Sequence, residues 1–506
     1  MSVAAAGRHE LEQPGGAAPR RAARRARGLP RVPRSALACA LIAFLNAACW
    51  SILSPPFEVP DEQAHFAYVQ TLAETGALPT SNREAFAPAE QIARAGLHFT
   101  TIFFRPADRT ISTVGEQATL ERDLALPLSR RGSGDAGVAA DEPPLYYALE
   151  TIPYWLAPGG TVLDRLAMMR LLSALMGGIA AFFVFLFVRE ALPGGPRWAW
   201  TVGGLGAALA PLLGMISGAV NPDALCLTIS AALFYGLARA FRRGLTPGLG
   251  AAVGAAIALG YLTKLNFLGL LPGAGLGLAV LGVRAARSSR RTACLSLLAA
   301  LGTAAAPGLA YAILSPHAGL PQAEEVVGLA GQAGGRSLVH ELEYIWQFYL
   351  PRLPGMTAYF PGVFTTRVLW FDGLVGLYGW LDTTFPNWVY NAALVPAGAI
   401  ALLLACALLR GRAALRARLA ECAVYLAMGA GTLAVVGVAD YANGVPGEFR
   451  EPRYLLPLLA LWGATLALAA RGAGRRWGPV AGTAIVLLLL AHDIFSQLLV
   501  VSRYYS

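Results

Sequence analysis

The sequence predicts an all-α integral membrane protein with about eleven transmembrane helices. Of its residues, 56% are hydrophobic and 14% are charged, and the mean hydropathy is +0.52. Apolar stretches of about twenty residues recur along the whole chain, and this is the length that one helix needs to cross a membrane. Arginine collects in the short loops between these stretches, as the positive-inside rule expects of cytoplasmic loops.

The composition also excludes other classes of protein. A soluble globular chain would carry far more charge. The net charge of +10 does not indicate a nucleic-acid partner, because the basic residues follow the inner loops. The six cysteines all fall in apolar stretches without metal-ligand spacing, so we expect neither a cysteine metal site nor disulfides.

The arginine-rich residues 1–35 are predicted to be a disordered cytoplasmic tail, and residues 36–500 a single transmembrane domain. A cleaved signal peptide is the alternative for the first span, which is long for that role. With the tail inside, the order of the spans places the C-terminus outside. It also predicts two large outer loops with amphipathic helices, residues 55–163 and 315–388. The predicted spans are residues 36–54, 163–189, 198–218, 224–239, two within 245–283, 292–314, 390–409, 419–438, 454–470 and 477–499.

One apolar stretch is too long for a single span. As one helix, residues 245–283 would measure about 58 Å against a hydrocarbon core of about 30 Å. Arginines at both far ends place those ends inside, so we predict two short spans that meet near Lys264. This break puts Lys264 at an outer turn and avoids the cost of a lysine in the middle of the membrane.

The stretch after the first span carries the strongest candidate site. Three prolines end the first helix, and a new helix that begins near Pro60 would carry Asp61 and Glu62 in its first turn and end at Gly76. Asp61, Glu62 and His65 would then share one face. Two carboxylates and an imidazole at a membrane surface indicate a chemical site. The alternative is that the acids only cap an amphipathic surface helix.

Most acidic residues collect in the predicted outer loops, where cytosolic nucleotide sugars and ATP are absent. A reaction there needs a donor held in the membrane, such as a polyprenyl-phosphate-linked sugar. Its transfer needs a carboxylate that takes the acceptor proton and positive charge at the leaving phosphate. Asp61 or Glu62 fits the first role, and Arg453, Arg450 and Lys264 are candidates for the second.

Each of these residues also has a structural interpretation. Arg453 and Lys264 could anchor their helices at the headgroups. Asp223, in an Asn-Pro-Asp turn, suits an N-cap. The aromatic residues of the second outer loop could stack on sugars, although an interfacial belt accounts for most of them. The motifs of common soluble enzymes do not occur.

Five short motifs together resemble the bacterial membrane family catalogued as domain of unknown function 2142. The resemblance covers residues 36–500, and it departs from the pattern at Glu451-Pro452, where glycine is expected before the Arg-Tyr pair. In chain order the motifs are Pro60-Asp61-Glu62-Gln63-Ala64-His65-Phe66, Glu142-Pro143-Pro144-Leu145-Tyr146-Tyr147, Asn221-Pro222-Asp223-Ala224-Leu225, Gly379-Trp380-Leu381-Asp382 and Pro452-Arg453-Tyr454-Leu455-Leu456-Pro457.

That family looks like a branch of the C-type glycosyltransferases (GT-C), which take sugars from polyprenyl-phosphate donors. The resemblance implies an inverting transferase of the bacterial cell membrane, with Asp61 as base and Glu62 as base or metal ligand. Mg²⁺ or Mn²⁺ is then the candidate cofactor, and Asp61 and Glu62 are its candidate ligands. The catalytic candidates are Asp61, Glu62 and His65, and weaker candidates for substrate binding are Tyr146, Tyr147, Asp223, Trp380 and Asp382.

Three functions remain open from the sequence. The first is a glycosyltransferase that modifies an envelope glycan or glycolipid on the outer face. The second is an envelope glycan polymerase or ligase, which also needs large outer loops and lipid-linked substrates. The third is a transporter or flippase of lipid-linked sugars, which would more often show internal repeats and charges near the bilayer midplane.

Overall fold

The computed structural model of this protein describes residues 32–79, 86–108, 113–125, 136–157, 159–314, 338–360, 365–443, 447 and 450–505. The predicted tail over residues 1–35 lies almost entirely outside these ranges. So do residues 315–337 of the second large loop. The segment Arg34–Ser506 forms one compact unit.

Helices make up nearly all of the regular structure in the described residues. Runs of Ala and Leu favour helix, and Pro or Gly stands at many of the helix ends. The helices are α1 (Arg34–Leu53), α2 (Glu62–Thr75), α3 (Pro88–Gly96), α4 (Phe99–Ile102), α5 (Val114–Ala125), α6 (Leu145–Leu156), α7 (Val162–Ala191), α8 (Arg197–Ala208), α9 (Pro211–Ser217), α10 (Asp223–Arg243), α11 (Pro247–Tyr261), α12 (Leu271–Ala286), α13 (Arg290–Leu314), α14 (Leu338–Tyr349), α15 (Gly373–Gly376), α16 (Asn387–Arg410), α17 (Arg412–Ala417), α18 (Leu419–Asn443), α19 (Leu459–Gly472) and α20 (Gly474–Tyr504).

The prediction of a multi-spanning helical protein is confirmed, but the number of spans is lower than eleven. Nine helices in the described residues are long and apolar enough to cross a membrane. The pair α8 and α9, bent by 53° where Pro211 begins the second helix, brings the number to ten if it counts as one span. The remaining predicted span corresponds to α11, whose 15 residues reach only about 22 Å.

The predicted break near Lys264 is confirmed. Helix α11 ends at Tyr261, and Lys264 has an extended backbone with φ −160° and ψ 144°. A 3₁₀ turn, Leu265–Leu270, then leads into α12. Two helical segments therefore meet at this lysine, as the length of the apolar stretch requires.

Helix α7 organises the core of the described residues. It packs against α1, α8 and α10, and α6 lies along its first half. Its start is fixed by a capping box, in which Thr161 and Asp164 each satisfy a backbone N–H of the other. A Cβ atom on Gly178 would lie 2.9 Å from the Ala40 carbonyl oxygen, so glycine lets α1 and α7 approach closely.

The helix that follows the acidic stretch is an internal element. In α2, the residues from Glu62 to Thr71 are all buried, and the helix packs against α6. The alternative of an amphipathic surface helix is therefore wrong. Gly76 ends α2 with φ 70°, as predicted from the sequence.

The second large loop contains more than amphipathic helix. A short π-helical turn, Arg367–Asp372, is followed by α15 and a minimal hairpin. Its strands β1 (Leu377–Tyr378) and β2 (Thr383–Thr384) are antiparallel, with Leu377 opposite Thr384. This two-residue ladder departs from the all-α prediction, and it carries the Gly-Trp-Leu-Asp motif in its turn.

Candidate functional site

The acidic stretch is held in a constrained loop rather than in a helical turn. Helix α2 begins at Glu62, so Pro60 and Asp61 precede it and do not form its first turn. Phe57 and Asp61 have φ values of 69° and 65°. Such left-handed backbone is uncommon outside glycine and often marks functional sites. Asp61 occupies the N-cap position without a capping hydrogen bond, so its carboxylate is available for another partner.

That partner is Arg453, which lies 392 residues further along the chain. Arg453 Nη2 donates to Asp61 Oδ2 at 2.8 Å, and Arg453 Nε lies 2.7 Å from Glu451 Oε2. Arg453 lies in the 3₁₀ turn Pro452–Leu458, and its side chain is 7% exposed, while the Asp61 side chain is 24% exposed. Arg453 Nη1 is buried and makes no hydrogen bond within the described residues. Glu451, the departure from the family pattern, therefore adds a second carboxylate to this arginine.

Lys264 forms a second ion pair nearby. Its Nζ lies 3.0 Å from Asp223 Oδ1, 3.8 Å from Glu142 Oε1 and 5.7 Å from the centre of the Tyr454 ring. Because the Arg453 guanidinium lies 5.1 Å from the same ring, both cations share one aromatic neighbour. Pro222 holds the N-cap position of α10, and Asp223 is the first residue of that helix, so Asp223 is not its N-cap. Its backbone N–H donates to Asn221 Oδ1 at 2.9 Å, as a turn residue would. We refer to Asp61, Glu142, Asp223, Lys264, Glu451 and Arg453 as the charged cluster.

The charged cluster contains four carboxylates and two basic side chains, and the pKa values of two carboxylates, Asp61 and Glu451, are shifted in opposite directions. Burial raises the pKa of Asp61, but the charge of Arg453, its hydrogen bond to Asp61 and the charge of Lys264 together lower it below the usual value. Asp61 is therefore ionised at neutral pH. Burial raises the pKa of Glu451, and Arg453 only partly offsets this effect. The partly exposed, ionised Asp61 is the member best suited to accept a proton.

His65 lies behind Asp61 and is uncharged at neutral pH. Burial lowers the pKa of His65 to about 3. The charge of Asp61 raises this pKa and only partly compensates, since the charges of Lys264 and Arg453 lower it further. Its Nδ1 is 2.9 Å from the Tyr147 hydroxyl, and the Tyr147 ring stacks on Tyr68 at 3.6 Å between centroids. His65 therefore links α2 to α6 through a neutral hydrogen bond.

Both tyrosines of the second motif are fully buried. Tyr147 contacts His65, as described above, and the Tyr146 hydroxyl lies 2.8 Å from Ser173 Oγ on α7. Ser173 in turn donates to Glu150 at 2.9 Å. The hydroxyl contacts of the two tyrosines therefore join α6 to α2 and to α7.

Glu62 points away from Asp61 into a separate ion pair. Both of its carboxylate oxygens accept from Arg170, at 2.7 and 2.5 Å, and the backbone N–H groups of Phe57 and Val220 donate to it as well. Arg170 also donates to the backbone carbonyls of Ser51, Ser54 and Pro55, which immobilises the end of α1. Sequence analysis missed Arg170, although an arginine within an apolar span is a signal for such a role.

Arg450 is separated from the charged cluster by its contacts. It donates to the backbone carbonyls of Phe348 and Gln347 and to Thr366 Oγ1, and its guanidinium lies 4.4 Å from the Phe360 ring centre. These contacts attach the chain before the 3₁₀ turn to α14. The structure thus brings Arg453 and Lys264 together, while Arg450 supports the aromatic residues of the second loop.

The Gly-Trp-Leu-Asp motif contacts the loop that precedes α2, residues 54–61, which we call the acidic loop. Trp380 Nε1 donates to the Phe57 carbonyl at 3.3 Å. Asp382 Oδ2 lies 3.6 Å from Arg503, and Tyr504 donates to Glu58 at 3.3 Å. Burial, reinforced by Asp382, raises the pKa of Glu58 to about 8. Glu58 and Arg503 were not singled out from the sequence, because an acid among prolines and a terminal arginine carry no distinctive pattern.

The residues present do not match the metal site suggested by the family resemblance. The described residues include no group of three or more His, Cys, Asp and Glu side chains arranged to hold a metal ion. The two suggested ligands, Asp61 and Glu62, point to different arginines. Asp61 and Glu62 therefore do not share a metal site in the described residues, and no reaction step is assigned to a metal ion.

Comparison with known proteins identifies a family and a distant structural likeness. The family described as "Predicted membrane protein (DUF2142)" matches residues 44–462. No curated protein matches significantly. The apo oligosaccharyltransferase of Archaeoglobus fulgidus is 14% identical with a TM-score of 0.43, over 92% of this chain and 56% of that one. The oligosaccharyltransferase AglB of Archaeoglobus fulgidus, in complex with an inhibitory peptide and a dolichol-phosphate, is 14% identical with a TM-score of 0.44, over 93% of this chain and 56% of that one. This chain thus spans little more than half the length of that protein.

Proposed function

Because this chain belongs to the DUF2142 family of predicted membrane proteins, and its motifs resemble those of GT-C enzymes, we propose that it is a membrane-embedded glycosyltransferase. The donor is a polyprenyl-phosphate-linked sugar, and the acceptor is a cell-envelope glycan or glycolipid on the extracytoplasmic face. The observation that carries the proposal is the pair of Asp61 and Arg453, a partly exposed carboxylate beside a buried guanidinium. These are the base and the phosphate-binding cation that such a transfer needs.

The proposed reaction is a single displacement, as in the inverting enzymes that the motifs resemble. The acceptor hydroxyl oxygen attacks the anomeric carbon, and the bond from that carbon to the phosphate oxygen breaks, with its electron pair moving to the phosphate. Asp61 takes the hydroxyl proton, and Arg453 offsets the charge gained by the phosphate. Attack opposite the leaving group inverts the configuration at the anomeric carbon.

The resting ion pair gives the donor a role in activating the base. Arg453 now shares its charge between Asp61 and Glu451. Arg453 Nη1 is buried and makes no hydrogen bond within the described residues. A phosphate that reached this atom would compete for the charge, and the pKa of Asp61 would rise toward its usual value. Asp61 would then be a stronger base with donor bound than without it.

The experiment is sugar transfer from radiolabelled polyprenyl-phosphate donors to envelope acceptors in reconstituted vesicles. We expect Asp61→Asn to lower the rate by about 10²–10⁴-fold, because the amide cannot take the proton. The matched control is Asp141→Asn, an exposed carboxylate before α6, which should change the rate by less than about twofold. Near-normal transfer by Asp61→Asn would refute the base assignment.

A second arm tests the phosphate end and the reaction class. Arg453→Ala should weaken donor use, and Arg453→Lys should restore only part of it, because lysine lacks the bidentate fork. A pyrophosphate-linked oligosaccharide as the better donor would favour the polymerase or ligase instead. Movement of the intact lipid-linked sugar without transfer would favour the flippase.

A further inference from the structure

Helices α7 and α10 end beside each other at a single buried carboxylate surrounded by arginines. The Glu190 side chain is 3% exposed. Its oxygens lie 3.3 Å from Arg189, 4.0 Å from Arg239, 3.4 Å from Arg242 and 3.2 Å from Arg243. We refer to these five residues as the Glu190 cluster.

The Glu190 cluster has more positive charge than its own acid can balance. Four guanidinium groups face one carboxylate, and the side chains of Arg242 and Arg243 are 44% and 53% exposed. The negative ends of two helix dipoles offset only part of this excess. Each guanidinium carries five donor N–H groups, so the exposed arginines can bind a further anion without losing Glu190.

The Glu190 cluster lies at the opposite end of α7 from the candidate site. Arg170, which holds Glu62, and Glu190 are twenty residues apart in one continuous helix, which corresponds to about 30 Å. This distance equals the thickness of a bilayer hydrocarbon core. An upright α7 with Arg170 at one membrane surface would place the Glu190 cluster at the headgroups of the other leaflet.

Half-buried aromatic residues lie on the membrane side of the arginines. Phe183 and Tyr235 are partly buried, and their ring centroids are 6.0 Å apart. Phe183 precedes Glu190 by two turns on α7, and Arg239 donates to the Tyr235 hydroxyl at 2.8 Å. The arginines could bind a charged headgroup, and Phe183 and Tyr235 could contact an apolar chain. This combination fits a lipid better than a free anion.

We propose that the Glu190 cluster binds the phosphate of an anionic phospholipid headgroup, with the acyl chains lying along Phe183 and Tyr235. Guanidinium groups bind phosphate through paired hydrogen bonds. Basic pockets between membrane helices recognise anionic lipids in the same way. A general preference of inner loops for arginine accounts for scattered charges, but it does not require four arginines gathered around one buried acid.

The test compares two double variants of the full chain in detergent by native mass spectrometry, with phosphatidylglycerol and phosphatidylcholine as the probes. Wild type should retain phosphatidylglycerol preferentially. Arg242→Gln with Arg243→Gln should weaken its apparent affinity by about tenfold. The matched control, Arg475→Gln with Arg476→Gln, removes the same charge from exposed positions of α20, and it should change the affinity by less than about twofold.

Three results would overturn the proposal. Equal weakening by both double variants would mean that the lipid responds only to diffuse surface charge. Equal retention of the two lipids by wild type would remove the anionic preference. Displacement of phosphatidylglycerol by inorganic phosphate at equal concentration would mean that the site takes a free ion. Size-exclusion profiles identical to wild type establish that the variants are folded.

Discussion

At the scale of single residues, the candidate site depends on backbone strain that orients a carboxylate. Asp61 has φ 65° and no cap bond, and its side chain meets Arg453 instead of the α2 N-terminus. Left-handed backbone in a residue other than glycine costs of the order of 1–3 kcal/mol. The packed neighbours must therefore maintain it, and Trp380 does so through the Phe57 carbonyl.

Glu58 gives a pH prediction at this scale. Burial and the charge of Asp382 raise its pKa from 4.5 to about 8, while Tyr504 and Arg503 lower it and Glu62 raises it. The folded state therefore holds a proton that the unfolded state releases. This proton favours folding most at or below about pH 4.5, and its contribution falls as the pH rises toward 8.

The corresponding variant is Glu58→Gln, which imitates the protonated acid. Thermal unfolding in detergent between pH 5 and pH 9 should show a smaller loss of stability for the variant than for wild type. Asp141→Asn, on the exposed surface, serves as the control and should follow wild type. If Glu58→Gln followed the wild-type curve throughout, the carboxyl would be ionised in the folded protein.

At the scale of elements, the acidic loop is fastened to α7 by the pair of Glu62 and Arg170. Arg170 joins this carboxylate to three carbonyl groups at the end of α1, so α1, α2 and α7 meet at one guanidinium. The same helix carries the Glu190 cluster at its far end. Helix α7 thus sets the positions of both polar regions.

Glu62→Gln tests this structural role. Removing one partner of a buried ion pair leaves Arg170 with an unbalanced charge, which typically costs about 3–5 kcal/mol. We expect a clear fall in the thermal midpoint, whereas Asp61→Asn should leave the midpoint nearly unchanged and lower transfer instead. If Glu62→Gln kept the wild-type thermal midpoint but lost sugar transfer, Glu62 would have a catalytic role instead of a structural one.

At the scale of the whole molecule, the arginine-rich loops predict which side of the membrane each loop faces. Single cysteines at Ala77 and Asn387, in a background without the six native cysteines, should react with an impermeant thiol reagent from outside. Cysteines at Ser288 and Ala414 should react only after the membrane is opened. All four positions are exposed; Ala77 and Ser288 lie in loops, Asn387 begins α16, and Ala414 lies in the short helix α17. Outside labelling at Ser288 would invert α12 and α13 and contradict the arginine-based orientation.

The sequence by itself determined the features that depend on local composition. Apolar length and arginine placement are properties of short segments, so they predicted the helical membrane class, the break at Lys264 and the end of α2 at Gly76. The exact number of spans was less certain, because α11 falls short of a membrane crossing by only a few residues.

Only the tertiary structure decided which charged residues meet. Asp61 and Arg453 are 392 residues apart, and Glu62, next to Asp61 in the chain, joins Arg170 instead. Arg450 and Arg453 lie three residues apart, yet one supports α14 and the other the charged cluster. The partner of a buried charge depends on how distant helices pack, because each ion must find its counter-charge within a few ångströms. Residue type and spacing along the chain do not contain that information.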